Sequence, residues 1–219
     1  MRKDARAARI PVVSSISGRL DKRPMEEPLQ AYTINEAHYY LMVTACKACG
    51  KGPWTIDATD KDPAAGIVTL RAKCKNCQGA RDFAFVCEHE VPPSGPEAEI
   101  VNPSDSPSRI IDLGQWLSLF YLLVETAARE PSRPETRRLG YRAALCLAEA
   151  MKFYTDDELP PAEAFFSPET ARVFQEHPEN FARQKLRNMQ AKLPMLGAMA
   201  RRISLDEKAQ RRWWQFWRR

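Results

Sequence analysis

The sequence predicts an α+β fold, in which a small antiparallel β-sheet comes first and an all-α helical bundle follows. Two Cys-x-x-Cys pairs, Cys46 with Cys49 and Cys74 with Cys77, enclose residues that alternate between apolar and polar, as short strands do. From residue 112 onward, apolar residues recur at helical spacing between capping motifs and prolines. At 219 residues, the chain is long enough for one domain of ordinary size and a small one.

The first 30 residues are expected to be a disordered basic tail, because they show no apolar periodicity. Residues 1–23 carry seven Lys/Arg and two Asp/Glu, and residues 201–219 carry the same numbers. Since the whole chain has a net charge of +5, the residues between these two ends have a net charge of −5. The mildly acidic body argues against a nucleic-acid-binding surface on it.

The two cysteine pairs have the spacing of a tetrahedral Zn²⁺ site. Two residues between the members of a pair allow one tight turn to direct both sulfurs inward, and two such turns enclose an ion. Gly50 and Gly79 are expected to take a positive φ where each turn curls round the ligand. Four cysteine ligands leave no open coordination position, so the predicted zinc is structural and not catalytic. The predicted ligands are Cys46, Cys49, Cys74 and Cys77.

Three short strands are predicted around these pairs, at residues 54–58, 67–72 and 83–86, with turn residues between 60 and 66. Two knuckles that each carry a cysteine pair, joined by a small antiparallel sheet, resemble a zinc ribbon. The resemblance covers about residues 41–90. It implies the metal and the local fold, and it says little about function because ribbons serve many tasks.

Other chemistry is open to the cysteines. A single Cys-x-x-Cys pair can be a redox dithiol. Disulfides are a second alternative, but we expect no secretory segment, and the other two cysteines are widely spaced. Cys87 and His89 follow the second pair closely and are candidate further ligands. Because Cys87 shares a strand face with Phe83 and Phe85, we expect it to be a small buried apolar residue instead.

A proline-rich stretch separates the predicted sheet from the predicted helices. Residues 91–109 hold five prolines and few large apolar side chains, which is typical of a linker. The predicted segments are a disordered basic tail (1–30), a capping helix plus zinc ribbon (31–90), a linker (91–109), a helical bundle (110–200) and an amphipathic basic-aromatic tail (201–219).

Helix starts are predicted at four capping patterns. These are Thr33 with Glu36, Asp112 with Gln115, Ser132 with Glu135, and Ser167 before Pro168. The helix after residue 112 is apolar almost all round, so we expect it to be central and buried. Residues 141–154 resemble the second helix of a tetratricopeptide repeat, but no second copy follows, which favours a generic bundle. A last bundle helix is expected from Pro178, with Phe181, Ala182, Leu186, Met189 and Leu193 on one face.

The final residues combine aromatic and basic side chains on a helix predicted to begin at Ser204. Trp and Arg together suit a lipid interface, where indole rings lie at headgroup depth and guanidinium groups meet phosphates. A groove on a partner protein, single-stranded nucleic acid, and the chain's own bundle are the alternatives. The predicted contact residues are Arg211, Arg212, Trp213, Trp214, Phe216, Trp217, Arg218 and Arg219.

No catalytic constellation is visible in the sequence: there are three histidines, no phosphate loop and no nucleophile elbow. We therefore expect a non-enzymatic zinc-binding interaction protein, tethered by its last residues to a membrane surface or a protein partner. The alternative is a nucleic-acid-binding zinc-ribbon protein. Residues 46–90 carry seven basic and six acidic side chains, so their near-neutral charge favours the first hypothesis. The reduced cysteines fit a cytoplasmic protein, peripheral to a membrane if the tail binds lipid.

Overall fold

The computed structural model describes residues 27–94, 96–193, 198–199 and 201–203, and its fold is α+β as predicted. The strands are β1 (Leu29–Ala31), β2 (Trp54–Asp62), β3 (Ile67–Cys74) and β4 (Ala80–Cys87). The α-helices are α1 (Ile34–Val43), α2 (Leu113–Arg129), α3 (Arg133–Met151), α4 (Pro168–Glu176) and α5 (Arg183–Ala191). Short 3-10 helices cover Pro96–Glu99, Ala162–Ala164 and Pro178–Phe181. Residues 198–199 and 201–203 are also helical.

The four strands form one mixed sheet in the order β1-β4-β3-β2. β3 pairs antiparallel with both β2 and β4, whereas β1 pairs parallel with β4. β1 was not predicted, because three residues are too few to show a period, and it begins inside the stretch expected to be disordered. Residues 1–26 of that stretch lie outside the described residues. β2 extends to Asp62, so the turn to β3 is shorter than expected; the Asp62 carboxylate accepts the N–H groups of Ala64 and Ala65.

Aromatic side chains pack α1 onto one face of the sheet. The Tyr40 ring contacts Phe85 and Phe83 edge-on, with centroids 5.9 and 6.5 Å away. Trp54 of β2 lies 5.0 Å from Phe83, and its indole N–H donates to the Thr44 carbonyl at 2.9 Å. These contacts bury the inner side chains of β3 and β4, because alternate residues of a strand point to the same face.

The predicted capping signals for α1 and α2 are present, with one change. The Thr33 hydroxyl accepts the Glu36 N–H, but the Glu36 carboxylate accepts the N–H of Tyr32, one residue before the expected position. At α2 the capping box is complete: Asp112 accepts the Gln115 N–H at 2.8 Å, and Gln115 accepts the Asp112 N–H at 3.0 Å. Each arrangement satisfies N–H groups that the first helical turn leaves without partners.

Two of the helices that follow begin differently from the prediction. Ser132 precedes α3, but its side chain makes no capping hydrogen bond; its carbonyl accepts the Thr136 N–H instead. Ser167 caps α4 as expected. The last bundle helix does not begin at Pro178, because residues 178–181 form a 3-10 helix and extended Ala182 precedes α5.

The helix α2 is not buried all round, contrary to the prediction. Trp116 and Leu119 are buried against the core, whereas Tyr121 and Leu122 are each 49% exposed and Val124 is 41% exposed. The apolar composition correctly indicates the packed face, where α3 and α4 contact α2. It does not show that the outer face stays in solvent, since that depends on where other elements lie.

The proline-rich segment packs on the start of α1. The Asn35 side chain donates to the carbonyls of Ala98 and Ile100, both at 2.8 Å, and the Thr33 hydroxyl donates to the Val101 carbonyl at 2.5 Å. Val101 is 1% exposed. One cluster of buried side chains includes residues of the sheet, of this segment and of α2 and α3. The division of the chain into domains stays a prediction.

Candidate metal centre

Each Cys-x-x-Cys pair lies on a turn with the same backbone hydrogen bonds. The Cys46 N–H donates to the carbonyl five residues later at 2.6 Å, and the Cys46 carbonyl accepts the Gly50 N–H at 2.7 Å. The Cys74 N–H also donates to the carbonyl five residues later, at 3.0 Å, and the Cys74 carbonyl accepts the Gln78 N–H at 2.9 Å. The two turns are therefore equivalent knuckles, and each directs two sulfurs to the same side.

The left-handed position of each knuckle is the residue directly after the second cysteine. Gly50 takes it in the first knuckle with a φ of 68°, as expected. In the second knuckle Gln78 takes it with a φ of 60°, so the expectation that Gly79 supplies the positive φ is wrong. A Cβ at Gly79 would lie 3.4 Å from the Cys77 sulfur, which is an ordinary van der Waals contact, so packing does not require glycine at this position.

The four sulfurs have the spacing of a zinc-thiolate tetrahedron. The Sγ atoms of Cys46 and Cys77 are 3.7 Å apart, as are those of Cys49 and Cys74. All four sulfurs lie within 4.8 Å of one another. Zn–S bonds of about 2.3 Å in tetrahedral geometry require sulfur pairs about 3.8 Å apart. The donor set therefore fits Zn²⁺, and both 3.7 Å pairs span the two knuckles, where an ion would be enclosed.

The sulfurs differ in exposure and in proton affinity. Cys46 and Cys74 are buried, Cys49 is half-buried and Cys77 is exposed. A hydrogen bond from the Lys51 backbone lowers the pKa of Cys49 to about 7. The Gly79 backbone also lowers the pKa of Cys77, but the neighbouring sulfurs, beginning with that of Cys46, outweigh it and raise this pKa to about 11. Thiols this close compete for protons, and a bound metal ion removes the competition by taking all four as thiolates.

The two further candidate ligands lie away from the centre. Cys87 ends β4, seven residues from Ala80 at the knuckle end, which is about 23 Å along a strand. Cys87 is half-buried, and burial raises the pKa of its thiol. His89 is exposed, and its N–H donates to the Tyr32 carbonyl at 2.8 Å. The predicted tail residues from Arg211 to Arg219 lie outside the described residues.

The sequence does not predict one feature of the structure, a cluster of buried polar side chains. Glu149 is 4% exposed, and its carboxylate accepts the Lys152 ammonium at 2.8 Å. The same ammonium donates to the Asn102 carbonyl at 2.9 Å, which joins α3 to the proline-rich segment. Burial raises the pKa of Glu149 to about 7, although Lys152 opposes this shift, and burial also raises the pKa of nearby Glu36. Single charged residues on amphipathic helices give no sequence signal for such burial.

Comparison with known proteins gives no relative: no protein-family model, no curated protein and no solved structure matches this chain. The four cysteines are the only group of three or more potential metal ligands among the described residues. Within the same residues, no helix combines the length and the apolar content needed to span a bilayer. The similarity to a zinc ribbon therefore rests on the geometry of the four sulfurs.

Proposed function

We propose that this chain is a non-enzymatic zinc protein in which one structural Zn²⁺ shapes a docking module. The observation that carries the proposal is the pair of 3.7 Å sulfur contacts between the two knuckles. Tetrahedral binding by four thiolates leaves no position for a substrate or an activated water. This supports a structural ion and no small-molecule substrate.

The face of the sheet away from α1 supports a docking role. Ile67 is paired with Val86, and Thr69 with Ala84; all four are partly exposed. A rigid, partly apolar surface of this kind suits a protein partner. The near-neutral charge of residues 46–90 supports a protein partner over the alternative of nucleic acid. The last residues of the sequence would act as a tether to a membrane surface or to the partner, in a cytoplasmic setting that keeps the thiols reduced.

The test of this proposal is metal content. Full-length protein, purified without chelator, is expected to contain one zinc per chain by elemental analysis. Cys74→Ser removes a fully buried ligand and should lower both the zinc content and the near-ultraviolet circular dichroism of the sheet aromatics. Cys87→Ser is the matched control, because this cysteine lies at the opposite end of β4, and it should keep one zinc.

Cobalt substitution adds a second measurement. Co²⁺ bound by four thiolates gives strong sulfur-to-metal absorption and tetrahedral ligand-field bands, which Cys74→Ser should alter and Cys87→Ser should not. A protein that contains no zinc and keeps its dichroism in strong chelator would overturn the proposal, because zinc binding contributes about 10–16 kcal/mol to the folding of small zinc modules.

A further inference from the structure

We propose that the knuckle end of the sheet binds an acidic segment of a protein partner. The proposal rests on the docking role in the proposed function and names the chemistry of the partner. The knuckle end comprises residues 44–53 and 73–81, which include both cysteine pairs. It contains five Lys/Arg and no Asp/Glu, whereas the rest of residues 46–90 contains two Lys/Arg and six Asp/Glu. The near-neutral total charge therefore combines a basic end, +5, with an acidic remainder, −4.

The fold brings three exposed lysines together around the two knuckles. Lys47 and Lys75 each follow the first cysteine of a knuckle, so they occupy equivalent positions on the two turns. The four sulfurs lie within 4.8 Å of one another, and the Lys75 N–H donates to the Pro53 carbonyl at 2.9 Å. Lys51 lies two residues before Pro53, and Lys47, Lys51 and Lys75 are all exposed. The three lysines therefore stand on adjacent turns that are held together.

The other two basic side chains of the knuckle end lie on the adjoining strands. Lys73 directly precedes Cys74, and its ammonium is paired with the Asp57 carboxylate at 2.7 Å while 52% of the side chain stays exposed. Arg81 follows the second knuckle, and its guanidinium lies 4.6 Å from the centroid of the Phe83 ring. An ion pair as exposed as that of Lys73 is weak, so a carboxylate from a partner can compete with Asp57 for this ammonium.

The charge of the metal centre does not account for five basic side chains. Four thiolates and one Zn²⁺ together carry a charge of −2, so the knuckle end with its ion keeps a net charge of +3. Cys46 and Cys74 are buried, whereas the three knuckle lysines are exposed to a partner. Complementary charge across an interface selects the partner and speeds its association. An acidic segment therefore fits this end of the sheet.

The surroundings of the knuckle end favour a peptide over nucleic acid. Single strands bind to aromatic side chains on which their bases stack, but Trp54 and Phe83, the aromatic residues of the sheet beside the knuckles, are only 8% and 3% exposed. Asp57, Asp60 and Asp82 are exposed on the strands that lead away from the knuckles. These carboxylates would repel a phosphate backbone that continued along the sheet, whereas a short acidic segment can end before them.

The test measures the fluorescence anisotropy of a labelled peptide of alternating glutamate and serine, titrated with full-length, zinc-loaded protein. We expect binding that weakens as salt increases, and no binding of the same peptide with glutamine in place of glutamate. Each exposed pair of a lysine and a carboxylate strengthens binding by roughly two- to fivefold, so Lys47→Gln, Lys51→Gln and Lys75→Gln together should weaken it by roughly tenfold or more. Arginine at the same three positions keeps the charge and should keep the affinity within a few-fold.

The matched control combines Lys61→Gln, Arg133→Gln and Arg187→Gln, which removes the same charge from exposed positions away from the knuckle end. It should bind the acidic peptide within a few-fold of the parent protein. The basic ends of the sequence are unchanged in every variant, so the difference between the two glutamine variants reports the contribution of the knuckle end alone.

Carbodiimide cross-linking, which joins lysines directly to carboxylates, locates the peptide on the parent protein. Mass spectrometry of the products should find the peptide on Lys47, Lys51 or Lys75, and this measurement decides the question even if the glutamine variant loses zinc. Equal affinities of the two glutamine variants, cross-links confined to other lysines, or tighter binding of single-stranded DNA than of the peptide would each overturn the inference. Zinc content separates this failure from failure of the proposed function, because one zinc per chain without affinity for the peptide contradicts the inference alone.

Discussion

At the scale of single residues, Gln78 shows how the shape of the knuckle dictates the backbone conformation of a residue. Among the described residues it is the non-glycine residue with a positive φ, and it stands where Gly50 stands in the other knuckle. A residue with a Cβ is strained in this conformation by about 1–2 kcal/mol. The two knuckles therefore have the same backbone shape, but the knuckle with Gln78 carries a conformational strain that the knuckle with Gly50 does not.

Placing glycine at residue 78 and a residue with a Cβ at residue 50 should change the free energy of unfolding in opposite directions. Gln78→Gly relieves the left-handed strain and should raise the free energy of unfolding by about 1 kcal/mol. Gly50→Ala should lower it by a similar amount, and through backbone strain alone, because a Cβ at Gly50 meets no atom within 4 Å. Urea denaturation at fixed free zinc measures both changes. A loss of stability in Gln78→Gly would contradict the conclusion that the positive φ strains Gln78.

At the scale of the elements, the first turn of α4 packs against the first turn of α2. The Asp112 carboxylate that caps α2 also accepts the Thr170 hydroxyl at 2.6 Å and the Ser167 N–H at 2.9 Å. Asp112 is fully buried, so these bonds satisfy a charged group that solvent does not reach. The close crossing needs Gly114, because a Cβ there would lie 2.7 Å from the Thr170 side chain.

Alanine at Gly114 should therefore be destabilising, although alanine is the better helix former. The clash with Thr170 should cost about 1–3 kcal/mol of unfolding free energy. Gly140→Ala in α3 is the matched control: its Cβ would meet only the Met199 methyl at 3.7 Å, and it should stabilise by up to about 1 kcal/mol. Thermal and urea unfolding of the two variants compare them, and equal effects would show that α4 does not pack this closely.

Local signals predicted the elements that depend on local chemistry. The capping box at Asp112 was predictable because helix start and cap lie within four residues. The cluster of four cysteines was predictable because two Cys-x-x-Cys pairs have the spacing typical of a metal site. β1 and the exposed outer face of α2 were not, because each depends on partners distant in the sequence. The left-handed Gln78 was missed because nearby Gly79 gave the stronger local signal.

At the scale of the whole molecule, the buried polar cluster joins parts that are far apart in the sequence. Lys152 connects Glu149 of α3 to Asn102 of the proline-rich segment, which itself binds the start of α1 through Thr33 and Asn35. Protonation of this cluster should therefore affect the stability of the complete fold and not of one helix.

The pH dependence of stability follows from the raised pKa of Glu149, about 7 in the folded chain against 4.5 as the ordinary value. Between these values the folded state binds more protons than the unfolded state, so this contribution falls as pH rises through the window. The total loss should be at most about 3 kcal/mol. Glu149→Gln should flatten the curve of unfolding free energy against pH from 5 to 7.

Other groups in the cluster also titrate, so the difference between variants is the informative quantity. The groups that act on Glu149 and Glu36 include Lys152, Arg109 and the Cys87 thiol, and zinc binding has its own pH dependence. Glu125→Gln changes an exposed carboxylate on α2 and serves as the control. If the curves of unfolding free energy against pH are parallel for Glu149→Gln and the parent protein, then Glu149 does not cause the loss of stability between pH 5 and 7.

The register of β1 has a practical consequence for handling this protein. Leu29 lies opposite Phe85, five residues along β4 from Ala80, so β1 is about 17 Å from the knuckle end of the sheet. Because β1 runs parallel to β4, its later residues lie farther from the knuckles, and a probe attached at exposed Gln30, opposite Val86, would lie about 20 Å along the sheet from the knuckle end. Paramagnetic relaxation between a nitroxide at that residue and Co²⁺ in the knuckles would then report the length of the sheet in solution.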